Sequence, residues 1–178
     1  PLAGAASERL TVRGGEGGTR ATLKIREGCQ SHCTYCIIPG VRGPIRSRPL
    51  SEIEAEAKRL AAAGFQEIVV TGIHLSSYGK DLGDGTTLLS ALRILQDTEG
   101  VKRIRLGSLE PGIVSPAFVE SLVEMDKSCP QFMLALQSGS DAVLARMGRR
   151  YDTGKYEAAV QAIRAVFPHA ALTTDVMT

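Results

Sequence analysis

No apolar run in this chain approaches the roughly 20 residues that a membrane-crossing helix needs. Its first ten residues, PLAGAASERL, also lack the charged and apolar regions of a signal peptide. A cytoplasmic protein with no membrane partner is therefore expected. Glycine-rich phosphate turns are missing too. Neither G-x-G-x-x-G nor G-x-x-x-x-G-K-[ST] occurs, which argues against an open doubly wound nucleotide-binding sheet. Nor is there an excess of charge: 21 basic against 19 acidic residues leave a net charge of +2, so composition carries no whole-chain signature of nucleic-acid binding. The basic character is local, with Arg20, Lys24 and Arg26 before a cysteine cluster and Arg42, Arg46 and Arg48 after it.

That cluster is what the chain has instead. The stretch KIREGCQSHCTYCIIPGVRGPIRSRP, Lys24 to Pro49, carries Cys29, Cys33 and Cys36, while the fourth cysteine, Cys129, lies far along the chain in KSCPQF. Three clustered thiols without a secretion signal fit a reducing compartment and metal binding better than disulfides. A structural zinc site normally closes with four ligands. Either a fourth ligand completes the set, with His32 the candidate for a Cys3His site, or the metal is meant to stay open. Cys129 reads as a buried or loop thiol with no chemistry. Pro44 and Pro49 fix the segment that holds Arg42, Arg46 and Arg48, so these arginines read as forks tying down loop carbonyls and carboxylates rather than as a mobile basic arm.

After the glycine-rich lead VRGGEGGTR, short apolar runs alternate with longer amphipathic ones. Strands are expected at ATLKI, EIVVT, RIRLGS, FMLALQ and ALTTDV, and helices at Ser51–Ala63, Thr87–Asp97, Ser115–Asp126 and Thr153–Val166. Ser51 and Glu54 predict a capping box, and Gly64 a helix stop. Alternation of this kind implies parallel strands with helical crossovers. The polar candidates gather just after strands: the cysteines, then Thr71-Gly72-Ile73-His74, Ser108-Leu109-Glu110-Pro111, Gln137-Ser138-Gly139 and Asp175. A β/α barrel builds its active site at those positions. The expected fold is thus α/β, an incomplete TIM-like barrel of about five parallel strands with four helical crossovers. Five strands do not close a barrel, so at least one β/α unit is expected to be missing.

Read together, Cys29, Cys33, Tyr35 and Cys36 form C-x-x-x-C-x-aromatic-C directly after the first strand, and this resembles the cluster loop of radical S-adenosylmethionine enzymes. The resemblance answers the question of the fourth ligand: three cysteines would hold three irons of a 4Fe-4S cluster and leave the fourth iron for S-adenosylmethionine. Thiolates suit iron–sulfur clusters because both partners are soft. The stretches VVTGIHLSSYGKDL, RIRLGSLEP and LQSGSDAVLARMGRRY extend the likeness to the methylthiotransferases, from about Leu23 onward. Three branches exist, acting on threonylcarbamoyladenosine in transfer RNA, on isopentenyladenosine in transfer RNA, or on a ribosomal-protein aspartate. TGIHLSSYGKDL and RLGSLEP look most like the first. A non-catalytic zinc-bound RNA-binding module is the rival from another class.

The family resemblance implies that one electron from the reduced cluster cleaves S-adenosylmethionine, and that the resulting 5′-deoxyadenosyl radical opens the C-2 carbon of a modified adenine to methylthiolation. It further implies a transfer RNA substrate and an electron donor such as a flavodoxin or ferredoxin. Residues 1–20 would then be a linker-like lead from an absent amino-terminal domain carrying a second 4Fe-4S cluster, and 21–178 a radical core truncated at its carboxy-terminal end. Cofactor contacts are expected from Tyr35, Thr71, Gly72, Glu110, Gln137 and Arg149. The chain departs from the family at Gln131 and Met133, where histidines are common, and at Gly148, where asparagine is.

Overall fold

The computed structural model describes residues 19–177. The glycine-rich lead therefore lies outside the described residues, apart from its last two positions. Strand β1 (Arg20–Glu27) runs into the cysteine loop, which holds a short helix α1 (Ile38–Arg42). A two-residue strand β2 (Arg46–Ser47) returns antiparallel along β1. The chain then alternates as expected: α2 (Leu50–Ala62), β3 (Glu67–Gly72), α3 (Leu88–Asp97), β4 (Arg103–Leu106), α4 (Pro116–Val123), β5 (Gln131–Met133), α5 (Asp141–Arg146), α6 (Thr153–Val166) and β6 (Ala171–Thr173). Strands β1, β3 and β4 pair in parallel, as do β5 and β6. Single parallel bridges, Ile104 to Ser128 and Leu109 to Leu134, join the two groups. This is the expected incomplete β/α barrel, with β2 as an antiparallel edge that hydrophobic periodicity did not announce.

Alternation along the strands decides what faces what. Ala21, Leu23 and Ile25 of β1, Ile68 and Val70 of β3, and Ile104 and Leu106 of β4 are buried in the hydrophobic core. They pack with Ile53, Ala57 and Leu60 of α2 and Leu88, Leu92 and Leu95 of α3. Apart from Val69, the alternate positions are polar: Glu67 accepts from Arg105 Nε at 2.8 Å and Arg20 Nε at 2.9 Å, with Arg103 at 3.6 Å. This network occupies the strand starts, away from the cysteines. Gln131 joins it through Arg105 Nη1 at 3.1 Å, so its side chain serves the floor of the sheet.

Helix α2 ends as its glycine predicts but begins differently from its sequence pattern. After α2, the Gly64 amide donates to Ala61 at 2.9 Å and the Phe65 amide to Leu60 at 3.1 Å, with Gly64 at φ +90°. That is the Schellman stop. The capping box predicted at Ser51 is absent, because α2 begins at Leu50 behind Pro49 and Ser51 is already inside the helix. The reciprocal box forms instead at Thr87 and Ser90, opening α3. Among the described residues no helix is long and apolar enough to cross a membrane.

Candidate functional site

The cysteine loop is held down before any cofactor is considered. Gly28 sits at φ +69°, and a Cβ there would lie 1.8 Å from the Pro44 carbonyl oxygen, so only glycine lets the two loop limbs meet. The Cys29 amide donates to the Gly43 carbonyl at 3.0 Å, closing the limbs into a ring. At the far end the Thr34 amide donates to Met147 at 3.0 Å and Thr34 Oγ1 to Arg146 at 3.1 Å, tying the loop to α5. Gly148 has φ +72°, and a Cβ there would stand 3.0 Å from the His32 carbonyl oxygen. Gly148 is thus part of the seat of this loop. Arg46 and Arg48 act as the forks expected of them: Arg46 Nη1 donates to Arg42 and Pro44, and Arg48 Nη1 to Lys24, all through backbone carbonyls.

Cys29, Cys33 and Cys36 line one cavity of about 200 Å³ together with Tyr35, His74, Ser108, Glu110, Gln137 and Arg149. The strand-end positions converge as a barrel requires. Arg149 is the hub. Its Nη2 lies 3.0 Å from Glu110 Oε1, its Nη1 donates to Cys33 Sγ at 3.3 Å and to Tyr35 Oη at 3.4 Å, and its Nε donates to Tyr151 Oη at 2.9 Å. Tyr35 in turn donates to Gln137 Oε1 at 3.3 Å. Gln137 takes φ 68°, the one left-handed backbone among non-glycine residues described; such conformations cluster at functional sites. His74 Nε2 stands 3.0 Å from Glu110 Oε2 and its Nδ1 2.5 Å from Ser77 Oγ. Thr71 and Gly72 do not line this cavity; they end β3 just behind it.

Electrostatics follow the contacts. Burial works against the charge of Glu110, but the hydrogen bond from His74 and the charges of Arg149 and Arg150 hold its carboxyl below the usual range. Burial also works against the Arg149 cation, and the Cys33 sulfur with Tyr151 and Glu110 raise it above the ordinary value. Burial pushes the Tyr151 phenol up to about 12.

The donor set discriminates between metals. All four cysteines are free thiols, and among the described residues no three His, Cys, Asp or Glu side chains converge on one point as a single ion would require. A tetrahedral zinc would bring its sulfurs within about 4 Å of one another. His32 is exposed and does not line the cavity, so Cys3His zinc has no geometry here. Three thiols spread around a cavity wall fit a polynuclear cluster with one iron per thiolate, and the donors on Cys29 and Cys33 sulfur, the Ser31 amide at 3.4 Å and Arg149, are the hydrogen bonds that tune such clusters. Cys129 bonds through its amide to Ile104 at the other end of the sheet.

Sequence comparison matches residues 23–178 to the Radical SAM superfamily. The chain belongs to that superfamily. Among curated relatives of this radical SAM chain, the tRNA-2-methylthio-N(6)-dimethylallyladenosine synthase of Pelotomaculum thermopropionicum is 40% identical over 96% of the chain. The threonylcarbamoyladenosine tRNA methylthiotransferase MtaB of Bacillus subtilis is 39% identical over the same share. The chain spans 38% of the length of each. Among solved structures, the cobalamin-dependent radical enzyme OxsB with S-adenosylmethionine bound superposes at TM-score 0.67 with 16% identity, over 88% of the chain and 23% of OxsB. The methyltransferase TsrM from Kitasatospora setae gives 0.65 with 18%, over 87% and 30%. These likenesses show a shared fold. The two curated relatives match almost equally, so identity does not select the threonylcarbamoyladenosine branch that the loop motifs suggested.

Sequence reasoning missed Arg26 as more than a flanking charge. It is 1% exposed, and its only signal was a bulky cation directly before the loop. It also passed over Ser31, whose small polar side chain carries no pattern, while Ser108 had been placed only as part of its strand-end group.

Proposed function

We propose that this chain is the radical-generating part of a transfer RNA methylthiotransferase that acts at C-2 of an N6-modified adenosine. The observation that carries the reading is the meeting of Cys29, Cys33 and Cys36 with Glu110, Gln137 and Arg149 around one cavity, in a chain whose curated relatives bear methylthiotransferase names. When bound, a 4Fe-4S cluster supplies the single electron that cleaves S-adenosylmethionine. The chain's own residues do the rest. Glu110 accepts from the amino group or ribose hydroxyls of the cofactor, Arg149 forks to its carboxylate, and Tyr35 packs on its adenine. Thr71 and Gly72 would shape the wall behind it. An adjoining cavity of about 570 Å³ shares Ser31, His74 and Glu110 and is lined by Lys80 and Arg150. We assign it to the entering nucleotide, with the two cations facing phosphate. A second cluster in a preceding domain, a flavodoxin or ferredoxin as electron source, and a cytoplasmic setting complete the proposal.

The dimethylallyl side chain is our first choice of substrate, because that name recurs among the relatives at 38–40% identity. The threonylcarbamoyl reading is favoured by TGIHLSSYGKDL and RLGSLEP. Anaerobic assay of the full-length protein with each modified transfer RNA, scored by mass analysis of nucleosides, separates them. A methylthiolated product from neither RNA, with a cluster present and S-adenosylmethionine cleaved, would refute the RNA reading and leave the ribosomal-protein aspartate as the next substrate.

A further inference from the structure

Arg26 is the largest of the fully buried side chains, and its burial is arranged by three separate features. The register of β1 on β3 shifts between Lys24 and Arg26, and an irregularity in a ladder re-aims the side chains beside it. Opposite it stands Gly72, where a Cβ would come within 2.7 Å of Arg26 Cγ. The guanidinium then spans the root of the cysteine loop: Nη2 donates to the Gly28 carbonyl at 3.0 Å and Nη1 to the His74 carbonyl.

What it lacks is a counter-ion. Nε is buried without a partner, and among the described residues Arg26 makes no ion pair. The nearby carboxylates direct their hydrogen bonds to other partners. Glu27 Oε1 pairs with Lys24 while its buried Oε2 bonds to nothing, Arg26 included, and Asp81 accepts from the Ser47 amide at 2.7 Å and Ser47 Oγ at 2.6 Å. Isolating a buried cation is costly unless something neutralises it. One residue beyond Gly28 lies Cys29, the first of three thiols whose cluster would carry net negative charge in both redox states.

We propose that Arg26 is the fixed counter-charge of the cysteine-held cluster, a positioning residue that raises the cluster's reduction potential from beneath the loop. The proposal rests on the 4Fe-4S reading of the site. A buried charge is poorly screened, and net charge is one of the levers that set iron–sulfur potentials. One added electron makes the cluster more negative, so a neighbouring cation favours the reduced form. In the same stroke Arg26 links the loop to His74, whose imidazole meets Glu110.

The test is an anaerobic redox titration of the full-length protein with reconstituted cluster, dithionite supplying one electron per cluster and paramagnetic resonance counting the reduced form. Arg26→Gln and Arg26→Met remove the charge; Arg26→Lys keeps it. The neutral variants should lower the reduction equilibrium constant at least about tenfold, a shift of about 59 mV to more negative potential for one electron, while Arg26→Lys stays within about twofold of wild type. Iron content and circular dichroism are read on every sample. Unchanged potentials in cluster-bearing neutral variants overturn the proposal, and so does loss of fold in both neutral variants with Arg26→Lys intact, which would make the role purely structural. If wild type binds no 4Fe-4S cluster, the underlying site reading fails first, and the counter-charge with it.

Discussion

Arg149 places Nη2 3.0 Å from Glu110 Oε1, joining the end of α5 to the loop after β4 across the mouth of the cysteine cavity. Both side chains are largely withdrawn from water, at 9% and 18% exposure. Glu110→Gln leaves the Arg149 cation with the Cys33 sulfur and two phenols. Breaking a buried pair from one side costs about 3 kcal/mol at the lower end of its range, and partial solvent contact argues for that end. Urea unfolding should register the loss, and a change under about 0.5 kcal/mol would show the pair to be surface-like.

The cysteines divide by position. Cys29→Ala, Cys33→Ala and Cys36→Ala each remove a wall of one cavity, so reconstituted visible absorption and bound iron should disappear in all three. Cys129→Ala, at the opposite end of the sheet, should retain both. Loss of iron in Cys129→Ala with the other three unaffected would overturn the assignment.

Glu67 gives a pH signature. Burial works against its charge, but the Arg105 hydrogen bond and the charges of Arg105, Arg20 and Arg103 hold its carboxyl below the ordinary range. Its folded value lies under its unfolded one, so its contribution to stability is complete above the unfolded value of about 4.3 and is lost as pH falls from there through the folded value. The stability gap between wild type and Glu67→Gln should be flat near neutrality and shrink below that pH. A gap that stays constant down to about pH 3, within a unit or so below the unfolded value, would show the three arginines to be incidental.

The strands and crossover helices were legible because their apolar faces repeat. EIVVT lies within β3, and Thr153–Val166 matches α6 residue for residue. What escaped was set by tertiary contact. β2 exists because its backbone lies against β1 and Asp81 grips Ser47; two residues carry no period. Helix α5 is too short for one. At the site, the cysteines and Tyr35 could be named from their motif, Glu110 and Gln137 from strand-end position, and Arg149, which follows α5, only through the family resemblance, whereas Arg26 could not be named, since a cation in a strand ordinarily reads as exposed and only the register shift and Gly72 reverse that.

Two glycines of the cysteine loop should respond oppositely to the same added methyl. At Gly28 a Cβ meets the Pro44 backbone at 1.8 Å under φ +69°, and neither limb can yield without breaking the Cys29–Gly43 hydrogen bond. Left-handed strain alone costs about 1–3 kcal/mol, and the clash adds to it. At Gly40, inside α1, nothing lies within 4 Å of the added Cβ and φ is not positive. There alanine lowers unfolded-chain entropy and should stabilise by about 0.4–1 kcal/mol. Thermal unfolding and iron content, measured side by side, should show Gly28→Ala losing both stability and cluster while Gly40→Ala keeps the cluster and melts no earlier than wild type. Equal behaviour of the two variants would mean that the loop closes by some route other than the Gly28–Pro44 contact.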